Sequence, residues 1–187
     1  MTPDPAFGSL FHMVGSAEEA AHLAALRRRF GDEMVDRMLR GRELLGHPRP
    51  LTEDERAVLR PAAAPVLRDM AASGAIVLDI REEAREDRGT EAVCAWVSRA
   101  DGISGMGIWV YVAASAGERV AALAEQLQEF EIEELCYAGR SATWPECPQH
   151  PNSHPLEPAV AGEHTAVWRC PRSGAVICAI GDLGRHG

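Results

Sequence analysis

Two strands joined by a tight turn are predicted in residues 91–113, which read EAVCAWVSRADGISGMGIWVYVA. Residues 91–100 and 106–113 both alternate in hydrophobicity, a pattern typical of strands that turn one face toward a core. The segment between them, DGISG at 101–105, carries the residues of a hairpin turn. Residues 75–81 alternate in the same way, so we expect three strands in an antiparallel meander with short connections.

A helix is predicted directly after these strands, over residues 116–137, where apolar residues recur every three or four positions. Ser115 and Glu118 have the spacing of a capping box, in which each side chain accepts the other residue's backbone amide. Gly139 is expected just beyond the helix end, because glycine readily takes the left-handed conformation found there. We expect this helix to cover one face of the sheet.

Helical spacing also precedes the strands. Apolar residues in 17–42 recur at intervals of three and four, and Gly31 is expected to divide this segment into two helices. Residues 1–16 are rich in Pro, Gly and Ser and predict an extended arm. Residues 47–50, His-Pro-Arg-Pro, predict a linker, because a residue before proline disfavours the helical conformation.

A second capping box, formed by Thr52 and Glu55, begins another helical segment. We expect Pro61 to interrupt this helix near residue 59, because proline removes a helix hydrogen bond and crowds the preceding turn. A further helical piece is predicted to open near Pro65 and to stop at Gly74.

These elements predict an α+β fold with N-terminal helices, a three-stranded antiparallel sheet with a covering helix, and a small C-terminal β-hairpin module. We divide the 187 residues into an N-terminal arm and helical segment at 1–50, an α+β core at 51–139 and the module at 140–187. This length suits one ordinary domain with an appendage. The sequence has no apolar run long enough for a transmembrane helix.

Charge and cysteine content restrict the classes of function. Twenty-eight acidic residues against nineteen basic ones give a net charge of −9, which argues against nucleic acid or a membrane as the partner. The beginning of the chain lacks the basic and apolar stretches of a secretory signal. Five cysteines are an odd number, which argues against a disulfide framework. We therefore expect a cytoplasmic protein.

Two surfaces are candidates for contact with a protein partner: the arm at 1–16, and an acidic face of the helix at 116–137. A solvated helix face is the simpler interpretation of these charges, and docking of a basic partner is the functional one. The predicted acidic face consists of Glu125, Glu129, Glu131, Glu133 and Glu134.

The five cysteines divide into two groups. Cys94 lies in a predicted strand and Cys136 near a helix end, so both are expected to be small buried hydrophobic residues. The others, Cys147, Cys170 and Cys178, follow residue 140, where Pro, His and Gly replace the helical pattern. Cysteines beside histidines in this arrangement predict a metal site in the C-terminal module.

Two short motifs carry the spacing of metal ligands. They are Cys147-Pro-Gln-His150 and Cys170-Pro-Arg-Ser173-Gly174, the second at the expected turn of a β-hairpin. The pair resembles the Cys-Pro-x-Cys knuckles of the zinc-ribbon group, with His150 and Ser173 in place of the second cysteines. The resemblance covers about a quarter of the chain, and it implies one tetrahedral Zn²⁺ that supplies folding energy to a small module.

The fourth ligand must come from outside the two knuckles, because a neutral serine is a poor zinc ligand. His154 is the first candidate, and His164 and Cys178 are the alternatives, although Cys178 is also explained as a buried residue of the returning strand. With His154, the set is an S2N2 group that suits Zn²⁺: Cys147, His150, His154 and Cys170.

A structural zinc ion is favoured over a catalytic one. A catalytic site needs an open metal position and a nearby base, for which Glu146 and Glu163 are candidates by sequence proximity alone. The His-Glu-x-x-His motif and the zinc-deaminase motifs are absent. Nucleotide-binding glycine motifs and Gly-x-Ser-x-Gly are absent as well.

The sequence thus predicts a cytoplasmic accessory or protein-binding protein with a structural zinc site, rather than an enzyme. One alternative is a small zinc-dependent hydrolase or lyase with an open metal position. A second alternative is a nucleic-acid-binding zinc-ribbon protein, which would need the basic residues of the first helix on one surface. These are Arg27, Arg28, Arg29, Arg37, Arg40 and Arg42.

Overall fold

The computed structural model describes residues 48–76, 78–84, 90–99 and 104–185. Before residue 48 it describes only positions 24, 27, 28, 31–33, 35 and 36. The arm predicted at 1–16 lies outside the described residues. Between 24 and 36, helical residues stand on both sides of Gly31, which is itself non-helical with a φ of +82°. The break predicted at Gly31 is therefore confirmed.

Helix α1 runs from Glu53 to Ala72 without interruption. The predicted capping box is present: the Glu55 amide donates to Thr52 Oγ1 at 3.3 Å, and the Thr52 amide donates to the Glu55 carboxylate at 2.7 Å. The break predicted at Pro61 is wrong, because Pro61 and Pro65 both lie inside α1.

Solvent exposure and packing explain why α1 continues through its prolines. Pro61 has no backbone N–H, so the Ala57 carbonyl lacks its usual helical hydrogen bond. Both residues are exposed, and water can bind that carbonyl instead. Pro65, four residues on, lies on the same side of the helix. The opposite side is held in the core by apolar residues, namely Leu59, Ala62, Ala63, Val66 and Met70.

A two-residue ribbon replaces part of the predicted linker. Strand β1, Arg49–Pro50, pairs antiparallel with β3, Glu83–Ala84, so the expectation of a linker is wrong for these two residues. The Arg49 guanidinium donates to both carboxylate oxygens of Glu55, at 2.6 and 2.8 Å. This pairing, the largest influence on Glu55, lowers the pKa of its carboxyl to about 2 and anchors β1 on the first turn of α1.

The central sheet is the predicted antiparallel meander. Its order is β2-β4-β5, with β2 at Leu78–Arg81, β4 at Ala92–Arg99 and β5 at Gly105–Tyr111. Residues of β4 are buried on both faces of the strand. The free side of β5 is capped by Gln126, whose side-chain amide bonds the backbone N–H and carbonyl of Trp109 at 3.0 and 2.9 Å.

Helix α2 spans Ala116–Tyr137 and has the predicted ends. The Ser115–Glu118 capping box is formed, with hydrogen bonds of 3.3 and 2.8 Å. Gly139 adopts a φ of +66°, and its amide donates to the Cys136 carbonyl at 3.1 Å. This Schellman arrangement satisfies carbonyls that the helix end would leave unpaired.

Two residues of the predicted acidic face are buried, which corrects that prediction. Glu131 is 0% exposed and accepts the Ile76 amide at 2.7 Å, while Glu134 is 2% exposed and pairs with Arg99 at 3.2 Å. The remaining three, Glu125, Glu129 and Glu133, are exposed.

The two cysteines outside the C-terminal module differ in burial. Cys94 is buried as predicted. Cys136 is exposed, so the prediction for this residue is wrong. Helical spacing explains the error, because Cys136 lies three residues after Glu133, on the outer side of α2.

The C-terminal region forms a third antiparallel sheet, of order β6-β7-β8. Strands β7, Thr165–Arg169, and β8, Val176–Ala179, form the predicted hairpin around Gly174, whose amide donates to the Cys170 carbonyl at 2.8 Å. Strand β6, Glu157–Gly162, pairs antiparallel with β7 and completes this sheet. It contains a proline, which sheets accept on edge strands such as this one.

Helix α2 packs against α1, against β5, and against β6 and β7. The described part of the chain therefore has one continuous apolar core, which includes Leu59 of α1, Leu127 of α2 and Trp168 of β7. The α+β class is confirmed. No helix among the described residues is long and apolar enough to span a membrane.

Candidate metal centre

The four predicted ligands come from two turns at the same end of the C-terminal sheet, where Glu157 of β6 pairs with Arg169 of β7. Cys147, His150 and His154 lie in the loop between α2 and β6, which we call the metal loop (residues 144–156). Cys170 immediately follows β7. Tight turns shape the metal loop: the His150 amide donates to the Cys147 carbonyl at 3.1 Å, and the Ser153 amide donates to the His150 carbonyl at 3.2 Å.

The side chains of these four residues converge, with one ligand atom from each lying within 4.8 Å of the others. His150 Nδ1 is 3.6 Å from Cys147 Sγ and 3.4 Å from Cys170 Sγ, and His154 Nε2 is 3.8 Å from Cys170 Sγ. Metal–sulfur bonds of about 2.3 Å and metal–nitrogen bonds of about 2.0 Å place tetrahedral donors roughly 3.4–3.8 Å apart. The group thus has the dimensions of a Cys2His2 metal site.

The outer contact of His154 determines which of its nitrogens faces the site. Nδ1 lies 2.8 Å from the carbonyl oxygen of Pro155. A carbonyl only accepts, so Nδ1 carries the hydrogen and Nε2 presents its lone pair to the cluster. An outer hydrogen bond of this kind orients a metal-binding histidine and increases its basicity as a ligand.

Cys170 is prepared for the thiolate form that metals bind. Burial raises the pKa of its thiol, but hydrogen bonds from Ser173, from the Arg172 amide and from Cys147 lower the pKa by more. The net result is a pKa of about 6, against an ordinary 9.0. One of these is donated by the Ser173 amide to Sγ at 3.4 Å. A thiol of this pKa is mostly deprotonated at neutral pH.

Ser173, which stands where the resemblance places a cysteine, connects the two knuckles. Its hydroxyl donates to Gln149 Oε1 at 2.8 Å, and Gln149 lies between the first two ligands in the chain. The same hydroxyl accepts the Ala175 amide at 3.2 Å. Ser173 therefore holds the second turn against the first.

The two alternative fourth ligands are not part of this group. Cys178 is buried on β8 opposite Trp168. Burial, with the nearby carboxylates of Asp69 and Asp182, raises the pKa of its thiol to about 11 and keeps it protonated. His164 is exposed at the turn between β6 and β7.

Helix α2 holds both ends of the metal loop through a residue that sequence reasoning missed. Gln128 is buried, and its side-chain amide donates to the carbonyls of Trp144 and Leu156, at 2.9 and 2.6 Å. The Leu156 amide closes the loop by donating to the Pro145 carbonyl at 2.8 Å. The sequence did indicate that Gln128 is buried, because it lies at helical spacing from buried apolar residues of α2.

Asp69 of α1 binds strand β7 and the segment after β8, and sequence reasoning missed this residue as well. Its carboxylate, 1% exposed, accepts from Trp168 Nε1 at 2.7 Å and from the amides of Gly181 and Leu183, at 2.6 and 2.9 Å. Trp168 packs edge to face on Trp144, with ring centroids 5.7 Å apart. Asp69 lies three residues after Val66 in the apolar stripe, a position that predicts burial.

Neither candidate catalytic base belongs to the group of four ligands. The Glu146 carboxylate accepts the Asn152 amide at 2.7 Å, and Glu163 is an exposed turn residue. A cleft of about 610 Å³ lies beside the metal loop, between the ends of α1 and α2. Arg140 and Glu146 are among its lining residues. None of the four ligand residues lines this cleft.

The fold and the site together define an α+β protein with a Cys2His2 group that can hold a metal ion. No family model, curated protein or solved structure matches the chain at a significant level. The similarity to zinc ribbons therefore rests on the knuckle residues alone.

Proposed function

We propose that the chain is a zinc-binding protein that holds one structural Zn²⁺ through Cys147 and Cys170 Sγ, His150 Nδ1 and His154 Nε2. The observation that carries the proposal is the placement of these four atoms within 4.8 Å of one another. Two thiolates balance the charge of the ion, and a mixed sulfur and imidazole set in this geometry suits Zn²⁺.

A structural role is supported by the number of ligands and by their burial. Four protein ligands fill a tetrahedron and leave no position for the water that a catalytic zinc ion activates. Cys147 and Cys170 are both 0% exposed. The ion would fasten the metal loop to the end of β7, so that the two turns present a fixed surface.

Metal analysis tests this proposal. Protein purified without added metal is expected to contain one zinc ion per chain, and a chelator is expected to lower its melting temperature, because bound metal stabilises only the folded state. Cys147→Ser and Cys170→Ser should each lose the zinc ion. Cys136→Ser, at an exposed cysteine outside the site, is the matched control and should retain it. Protein free of zinc, or zinc retained by both ligand variants, would contradict the proposal.

The wider role that we propose is that of an accessory protein that binds a basic protein partner in the cytoplasm. The support is the exposed acidic stripe on α2, formed by Glu125, Glu129 and Glu133 at successive turns. A net charge of −9 argues against nucleic acid as the partner. A reducing compartment would keep the two ligand thiols available for metal.

Cross-linking in the source cells tests the acidic stripe. A triple variant, Glu125→Gln with Glu129→Gln and Glu133→Gln, should lose cross-links from this face to basic proteins. Glu163→Gln, at an exposed glutamate away from α2, should keep them. Equal cross-linking of both variants would remove the stripe as the docking surface.

A further inference from the structure

We infer that Cys147 and Cys170 form a peroxide-sensitive pair, whose oxidation to a disulfide releases the zinc ion. The inference rests on the proposed zinc site and adds a means of regulating it. The two Sγ atoms belong to the group within 4.8 Å, and both contact the same nitrogen, His150 Nδ1, at 3.6 and 3.4 Å. The sulfur atoms are thus held as neighbours.

The other three cysteines cannot substitute for either member of this pair. Cys94 is buried in the central sheet and Cys178 on β8, and neither belongs to the metal group. Cys136 is exposed at the end of α2, also outside the group. The chain has five cysteines in all, so Cys147 and Cys170 are the one pair of thiols that the structure gathers around a shared ligand.

The pair lies where the backbone can adjust. A disulfide requires the sulfur atoms to approach to about 2.05 Å, closer than two sulfur ligands lie on one zinc ion. Cys147 and Cys170 both lie at turns rather than inside strands, so their approach would break no strand pairing. After oxidation the disulfide would still tie the metal loop to the end of β7.

The oxidant can approach from the histidine side of the site. Both sulfur atoms are buried, whereas His150 and His154 are half-buried and the loop residues beside them, Pro148, Gln149 and Pro151, are exposed. Displacement of one imidazole from the metal would open a path to the thiolates. The two turns would keep their places during such a displacement, because Gln128 bonds the metal loop and Ser173 bonds Gln149 without any metal.

Hydrogen peroxide is the two-electron oxidant in this reaction. One thiolate attacks a peroxide oxygen, which breaks the O–O bond and gives a sulfenic acid and hydroxide. The second thiolate attacks the sulfenic sulfur, which forms the S–S bond and expels a second hydroxide. Two protons convert the hydroxides to water. The thiolates lose two electrons, the peroxide gains them, and Zn²⁺ leaves unchanged because it has lost both sulfur ligands.

The experiment uses the full chain as purified with its zinc ion, in a Cys136→Ser background that removes the exposed thiol. Hydrogen peroxide is added, and released zinc is followed with a chromophoric chelator. Peptides are then mapped without reduction. We expect zinc release in step with a Cys147–Cys170 disulfide, and zinc uptake again after reduction. The zinc content before oxidant tests the proposed function separately.

Two results would overturn the inference while the zinc site stands. One is zinc that stays bound while the thiols remain reduced under peroxide. The other is zinc release accompanied by sulfinic acid at either cysteine, without the disulfide. Cys178→Ser in the same background is the matched control, and it should release zinc at the same rate as its parent.

Discussion

Glu131 on α2 is a fully buried carboxyl with incomplete hydrogen bonding. One of its oxygens accepts the Ile76 amide, and the other, Oε2, has no partner among the described residues. Burial, the largest influence, raises the pKa of Glu131 to about 7, and the nearby carboxylate of Glu134 adds to this. The Ile76 hydrogen bond and the guanidinium groups of Arg140 and Arg99 oppose the rise.

The raised pKa predicts a pH-dependent stability. The folded state binds the Glu131 proton more tightly than the unfolded chain, so stability falls as the pH rises from about 4.5 to about 7. Relative to Glu131→Gln, which cannot ionise, the wild type should lose about 2–3 kcal/mol of unfolding free energy across this interval. Denaturant unfolding at pH 5 and pH 8 measures the difference. Parallel pH profiles for the two proteins would contradict this.

Asp69 is expected to contribute strongly to stability, because its carboxylate accepts three hydrogen bonds from outside its own helix. Asp69→Ala removes the acceptor of Trp168 Nε1 and of two backbone amides. Buried donors left without a partner cost about 1–3 kcal/mol each, so we expect at least about 3 kcal/mol of destabilisation. Thermal and denaturant unfolding measure it.

The control for Asp69 is Asp79→Ala. Its carboxylate is 61% exposed and makes a single long contact with Arg81, so this change should cost less than about 0.5 kcal/mol. Equal stability of the two variants would mean that the Asp69 hydrogen bonds add little.

At the scale of elements, the junction between α2 and the C-terminal sheet depends on close backbone approach. Gly117, in the first turn of α2, donates its amide to the Glu163 carbonyl at 2.8 Å. A Cβ atom at Gly117 would lie 2.3 Å from the carbonyl oxygen of Gly162. Only glycine lets the start of α2 sit against the β6–β7 turn.

Gly117→Ala is therefore expected to separate α2 from this turn and to lower the unfolding free energy by roughly 2 kcal/mol or more. Gly162→Ala is the matched control, because its Cβ would meet nothing within 4 Å. Melting temperatures of the two variants check the prediction. A decrease of similar size in both would show that steric contact at Gly117 is not the cause.

At the scale of the whole molecule, the C-terminal module and the helices share one core. Gln128 of α2 bonds the metal loop, Asp69 of α1 bonds Trp168, and Trp144 donates through Nε1 to Ser73 at 2.7 Å. The division into a core at 51–139 and a module at 140–187 remains a prediction from composition.

We expect a fragment of residues 48–139 not to fold cooperatively. Removing the module would expose the apolar surface that α1 and α2 bury against Trp144, Leu156 and Trp168. It would also remove all three donors to the Asp69 carboxylate. Circular dichroism and denaturant unfolding of the fragment, beside the full chain, measure this. A sharp two-state transition in the fragment would support the division into domains instead.

The local features of this protein were readable in its sequence. Both capping boxes, the helix end at Gly139, the break at Gly31 and the strand meander follow from residues a few positions apart. Their physical causes, hydrogen bonds across one turn and alternation along one strand, act over the same short distance. The knuckle spacing similarly singled out residues that the structure brings together.

Features that depend on distant neighbours were set by tertiary contacts. Helix α1 continues through Pro61 because the opposite side of the helix packs in the core. Glu131 is buried where its carboxylate accepts the amide of Ile76, 55 residues away in the chain. Strand β6 exists through its pairing with β7. Among three candidates for the fourth ligand, folding brings His154 to the other three donors and leaves Cys178 inside the sheet. Such outcomes depend on contacts between residues far apart in the chain, which periodicity and spacing do not report.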